Sequence, residues 1–178
     1  FGDKYMAMTP EEAVKKYTEK YVSDYRNDLE PMYKKDEQDK EDEESIGAWY
    51  SYYKGIESHV QLCNTLILTY RIDYNEYTGG AHGIYMSTFL NLDLKTLSPI
   101  RLDDLFEGDY KEALTDLLWK QLMADNNDPT GITFYYNVYE IAPYVMGATK
   151  ITLSYEDIAP LMNGKFIVLS SAIKTDGE

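Results

Sequence analysis

A change of period divides the chain. From Ala13 through Tyr17, Tyr21 and Tyr25 to Leu29 an apolar side chain recurs every fourth residue, which lays one stripe along an α-helix. From Leu66 through Leu68, Tyr70 and Ile72 to Tyr74 the repeat is every second residue. That turns one strand face to a core and leaves Ile67, Thr69, Arg71 and Asp73 on the other, mostly polar and outward. Helix and sheet must therefore come from separate segments. The helix carries its own start: Thr9 as N-cap, Pro10 as first helical residue and Glu12 as the capping-box acid. Val14 and Val22 flank the stripe, and Pro31 is expected to end or kink it.

The same reading continues downstream. Strands are expected at 49–53, 58–62, 65–74 and 84–94, with a brief return at 97–102. A second helix is expected near residues 110–124, with Leu114, Leu117, Leu118, Gln121 and Leu122 as its buried stripe. Residues 126–130 form a break. Strands at 132–136 and 149–154, a short helix at 155–161 stopped by Pro160, and a last strand at 166–173 follow. Consecutive strands are joined by short turns, so pairing should be mainly antiparallel. Helices do not alternate with strands one by one, which excludes a doubly wound sheet. The expected fold class is α+β: a mainly antiparallel sheet packed against the N-terminal helix and the helix near 110–124. Residues 1–57 hold helix, acidic segment and first strand. Residues 58–178 hold the rest, and the two parts are expected to form one compact unit.

Charge and composition exclude several functions. The 178 residues carry a net charge of −14, and residues 36–44 alone, with seven acids and one base, supply −6 of it. Such a run is a solvated segment, and it lacks the turn glycine of an EF-hand calcium loop. Without a basic block the chain is a poor ligand for nucleic acid or an anionic membrane. No stretch approaches the ~18–20 apolar residues of a membrane span. Cys63 is the single cysteine, so it makes no intrachain disulfide or thiolate zinc site, and its apolar surroundings predict a buried, inert thiol.

Three segments in order carry a resemblance. They are Tyr77-Thr78-Gly79-Gly80-Ala81-His82-Gly83, then Leu92-Asp93-Leu94-Lys95-Thr96 leading to Leu102-Asp103-Asp104-Leu105-Phe106, then Phe134-Tyr135-Tyr136-Asn137-Val138-Tyr139-Glu140-Ile141-Ala142-Pro143-Tyr144 with Gly147. Over residues 58–161 the chain resembles the domain-of-unknown-function family 3298, whose usual N-terminal companion is family 4163. The resemblance implies an extracytoplasmic bacterial domain, in the periplasm or at the cell surface, lipid-anchored through residues outside this chain. Such domains occur in envelope lipoproteins, in the lysozyme-binding sensor of an anti-sigma factor and beside the catalytic domain of peptidoglycan deacetylases. It brings no catalytic signature. The chain departs from the family with Val138 in place of a frequent Pro and with a short stretch at 126–130.

The candidate contacts lie in two motif loops. Tyr77, Gly79, Gly80 and His82 form a glycine-rich loop that opens a strand rather than a helix, which disfavours a phosphate cradle. It reads either as a structural corner holding His82 or as a ligand-facing loop. Tyr139, Glu140 and Tyr144 combine rings and a carboxylate, a pairing suited to sugar faces and hydroxyls or to a protein contact, unless the rings cap the core. No catalytic residue, metal ligand or cofactor is assigned: His82 and His59 are the only histidines, and no GxSxG elbow is present.

These readings converge on a non-enzymatic binding or sensing module. Its expected partners are peptidoglycan fragments or a basic protein such as lysozyme, which the negative charge would attract. The alternatives are an envelope hydrolase acting on peptidoglycan and a structural accessory domain.

Overall fold

The computed structural model describes residues 3–38, 50–124, 131–164 and 166. The acidic run from residue 39 on, Trp49, the break at 126–130 and the expected last strand beyond Phe166 lie outside the described residues. The elements are α1 (Pro10–Gln38), β1 (Tyr53–Cys63), β2 (Ile67–Tyr77), β3 (Ile84–Asp93), β4 (Ser98–Pro99), α2 (Leu102–Leu105), α3 (Tyr110–Ala124), β5 (Gly131–Tyr136), β6 (Thr149–Ser154) and α4 (Tyr155–Ile158). They make an α+β fold with antiparallel sheets. One sheet has four strands in the order β1-β2-β3-β4, and a second pairs β5 with β6. Among the described residues no helix is long and apolar enough to cross a membrane.

The chain divides into two compact units, residues 1–54 with 76–84, and residues 55–75 with 85–178. In the first, the capping box forms as read. Glu12 N–H donates to Thr9 Oγ1 (3.3 Å) and Thr9 N–H to Glu12 Oε2 (3.2 Å). The stripe Ala13, Tyr17, Tyr21, Tyr25, Leu29, Tyr33 is the buried or half-buried side of α1, whereas Val14 and Val22 beside it are exposed. Tyr25 meets Tyr52 and Tyr33 meets Tyr50 edge-on, at 5.3 and 5.6 Å. Lys54 Nζ lies over the Tyr17 and Tyr21 rings, at 5.5 and 5.1 Å, and pairs with Glu76 (3.0 Å). Of the two outcomes expected at Pro31, the end does not occur: α1 runs past it to Gln38. The loss of one helical hydrogen bond is offset by contacts on the last turns: the Glu30–Lys34 pair, the Tyr33–Tyr50 contact and a hydrogen bond from Tyr50 to Asp36.

The second unit holds the tightest packing. Phe106, Tyr110, Leu114, Ile151, Leu153, Ile158, Met162 and Phe166 form one buried cluster. They bring the apolar side of α3 against β6 and α4, and each fully buried large side chain contributes about 1.5–3 kcal/mol. In the β5–β6 ladder Ile132 faces Leu153 and Phe134 faces Ile151. Gly131 pairs with Ser154 so closely that a Cβ there would stand 1.9 Å from the Leu153 carbonyl oxygen. Ser154 ends β6 and caps α4, accepting from Asp157 N–H (3.1 Å). Glu107 N–H bonds Leu161 O and Asn163 N–H bonds Leu105 O, tying α2 to the chain after α4.

Burial in the four-stranded sheet departs from the alternating pattern. Residues of β2 are half-buried on both faces, and β1, with Cys63, is mostly exposed. Cys63 is therefore not the buried thiol expected from its neighbours. The face of β2 carrying Ile67, Thr69 and Arg71 does not simply meet solvent; it lines a cleft.

Candidate functional site

The cleft lies wholly within the second unit and has a volume of about 900 Å³, in the ~300–1,000 Å³ range of ligand pockets. Period two explains part of its walls. Thr69 and Arg71 from β2, Ser87, Phe89 and Asn91 from β3, and Thr133 and Tyr135 from β5 are odd-numbered residues that share one face of their strands, and Thr88, Ile132 and Phe134 line it from the other face. Lys150, opposite Tyr135 in the ladder, and Arg101 before α2 complete the rim. Phe89 and Tyr135 are tilted together at 5.1 Å. The Arg71 guanidinium lies over Phe89 and Lys150 Nζ over Tyr135, each at 5.8 Å. Thr69 Oγ1 donates to Asn91 Oδ1 (2.7 Å). Among the described residues the lining thus joins aromatic faces, amides and hydroxyls with three cations and no carboxylate.

Below these groups a polar network fixes the wall. Ser87 is the buried polar side chain of the described residues. Its hydroxyl donates to Asp73 Oδ1 (2.6 Å), accepts from Arg71 (3.3 Å) and lies 3.2 Å from the Tyr135 hydroxyl. Arg71 Nε also donates to Asp73 Oδ1 (2.8 Å). Asn137 reads both backbone groups of Ser87: its Oδ1 accepts from Ser87 N–H (2.7 Å) and its Nδ2 donates to Ser87 O (3.2 Å). The side-chain amide thereby acts as one residue of a neighbouring strand.

The network has the residue types of a hydrolase triad in the wrong order. Asp73 stands in the middle, with Ser87 on Oδ1 and His59 Nε2 3.7 Å from Oδ2. In a working triad the imidazole stands between serine and acid and takes the serine proton. Burial pushes the Asp73 carboxyl up, but hydrogen bonds from Ser87 and Arg71 and the charges of Arg71 and His59 outweigh it and hold the group below the usual carboxylate range. With His59 beyond the acid instead of between it and Ser87, the arrangement lacks the serine–imidazole contact of a triad. Among the described residues no three His, Cys, Asp or Glu side chains group as a metal centre.

The residues expected from the sequence fall in two places. Tyr77, Gly79, Gly80 and His82 belong to the first unit. There Tyr77 donates to Gly80 O (2.9 Å), Gly79 and Gly80 take φ of 86° and 93°, and His82 Nδ1 contacts Gly83 O (2.9 Å). Tyr139, Glu140 and Tyr144 belong to the second unit and come together in one loop. Tyr144 packs between Tyr85 (5.7 Å) and Tyr139 (5.6 Å), and Glu140 accepts from Asn137 N–H (2.7 Å). Tyr139 has a φ of 70° and is 59% exposed, beside exposed Ile141, Val145 and Met146. Sequence reading missed Arg71, Asp73, Ser87, Asn137 and the cleft aromatics. The signal was present in Thr69, Arg71 and Asp73, spaced by two on an otherwise apolar strand.

Comparisons with known proteins complete the picture. The model of "Protein of unknown function (DUF3298)" matches residues 103–156, and that of "Deacetylase PdaC", the companion family, matches residues 5–85. The Tyr77–Gly83 motif therefore falls in the companion match rather than in the first. A crystal structure of a DUF3298 family member from Bacteroides fragilis is 54% identical, covering 96% of this chain and 76% of that one, with a TM-score of 0.85. A DUF3298 family protein from Pseudomonas aeruginosa shares the fold at 20% identity and a TM-score of 0.53, over 64% of this chain and 63% of that one. No curated protein matches. With more than half its residues shared across nearly its whole length, the chain belongs to the DUF3298 family.

Proposed function

We propose that the chain is a non-catalytic, extracytoplasmic binding module that takes a cell-wall glycan into the cleft of its second unit. The cleft lining carries this reading: the Phe89 and Tyr135 rings offer surfaces to the apolar faces of sugars, and Thr69, Asn91 and Thr133 offer donors and acceptors to hydroxyls. The Ser87–Asp73–Arg71–Asn137 network favours binding over turnover, because it spends its polar groups on holding the wall. The family's envelope setting supports a glycan as the ligand at hand. The PdaC description names a deacetylase, and its match ends at residue 85, before most of the cleft.

A second reading rests on the loop with exposed Tyr139, Ile141, Val145 and Met146. It suits a protein partner, and Glu140 with the acidic surface suits a basic one such as lysozyme. The loop motif at Tyr77, Gly79, Gly80 and His82 remains a proposed contact under either reading.

Calorimetric titration with peptide-free glycan strands separates the two. Binding should be measurable for the wild type and weaken about tenfold in Phe89→Ala, about the worth of one aromatic contact. A chain that ignores glycan but binds lysozyme through a site abolished by Tyr139→Ala contradicts the glycan reading.

A further inference from the structure

We infer that the cleft selects glycans bearing a carboxylate, read by Arg101 and Lys150; this rests on the glycan reading above. The chain as a whole is strongly acidic, so cations should be rare in any patch drawn at random from its surface: 17 Lys and Arg stand against 31 Asp and Glu. Among the described residues the cleft lining inverts that balance, with Arg71, Arg101 and Lys150 and no acid. Arg71 is already neutralised by Asp73 at 2.8 Å. Arg101 and Lys150 are different. Both are exposed, both line the cleft, and neither joins an ion pair with a described acid. Lys150 rests over the Tyr135 ring, so its ammonium stands beside the surface on which a sugar would stack. A ligand carboxylate gains a charge-assisted hydrogen bond from these two cations at short range, stronger than the one a neutral sugar hydroxyl accepts.

The test compares a neutral and an acidic glycan of equal length: a chitin tetrasaccharide and a tetrasaccharide alternating N-acetylglucosamine with muramic acid, each carrying a lactyl carboxylate and no peptide. Both are titrated into the full chain and into Arg101→Gln with Lys150→Gln, at two exposed positions, with circular dichroism checking that the variant is folded. The acidic ligand should bind the wild type about tenfold more tightly than the neutral one, in keeping with a charge-assisted hydrogen bond. The advantage, read as the ratio of the two sugars' affinities, should shrink with added salt and vanish in the double variant. Equal binding of the two sugars, or a preference that survives in the double variant, overturns the inference and leaves the glycan reading standing. Failure of both sugars to bind overturns the glycan reading, and with it the inference.

Discussion

Two surfaces of the second unit are built from the same strands and differ in kind. On one side β6 gives Ile151 and Leu153 to a dry core closed by α3 and α4, with Ile158 fully buried. On the other, β5 gives Thr133 and Tyr135, and β6 gives Lys150, to an open cleft whose floor is a chain of hydrogen bonds. The first surface holds the fold and the second is the one proposed for recognition, although the cleft also reaches the core residues Met162 and Phe166. The strands can serve both because alternate residues point opposite ways.

Substitutions on the two surfaces should separate these roles. The largest effect is expected from Leu153→Ala, which opens a cavity in the core: a loss of about 3 kcal/mol in denaturant unfolding. A loss below about 1 kcal/mol would deny that this cluster is the stabilising centre.

Ser87→Ala should be intermediate, at about 1–2 kcal/mol, because it removes a donor from a half-buried carboxylate. Its pH dependence is specific. The Asp73 carboxyl lies below its ordinary value in the folded chain, so its contribution is full above the unfolded value near about 4 and is lost as pH falls through the folded value. The gap between wild type and Ser87→Ala should therefore close on acidification. A gap unchanged down to pH 2 would remove Asp73 from the account.

The smallest stability effect belongs to Phe89→Ala, within about 1 kcal/mol since the ring is already 36% exposed. The same variant should show the tenfold loss of glycan affinity. If it unfolds the protein instead, the cleft is part of the core and the division between the surfaces fails.

The legible and illegible parts of the sequence divide along similar lines. Helix α1, with its cap and tyrosine stripe, helix α3 and strand β6 follow from period, capping residues and turn chemistry, because each buries one continuous face. The cleft did not follow from the sequence. Its wall residues come from five strands, β1, β2, β3, β5 and β6, in two sheets, and a polar residue facing a cleft has the same period as one facing water. Thr69, Arg71 and Asp73 were thus read as the outward, mostly polar face of the strand. Pro31 was read as an end or a kink because local chemistry governs a sequence reading, while α1 continues on contacts with Tyr50, far along the chain. The loop of Tyr139, Glu140 and Tyr144 was found from its motif, yet Asn137 at its start makes the more telling contacts, to the backbone of Ser87.

Amide hydrogen exchange with and without the muramic-acid tetrasaccharide tests the central claim most directly. The account predicts slowed exchange in β3 around Phe89 and in β5 and β6 around Tyr135 and Lys150, with residues 139–146 unchanged. Protection confined to 139–146, or none at saturating glycan, would contradict it.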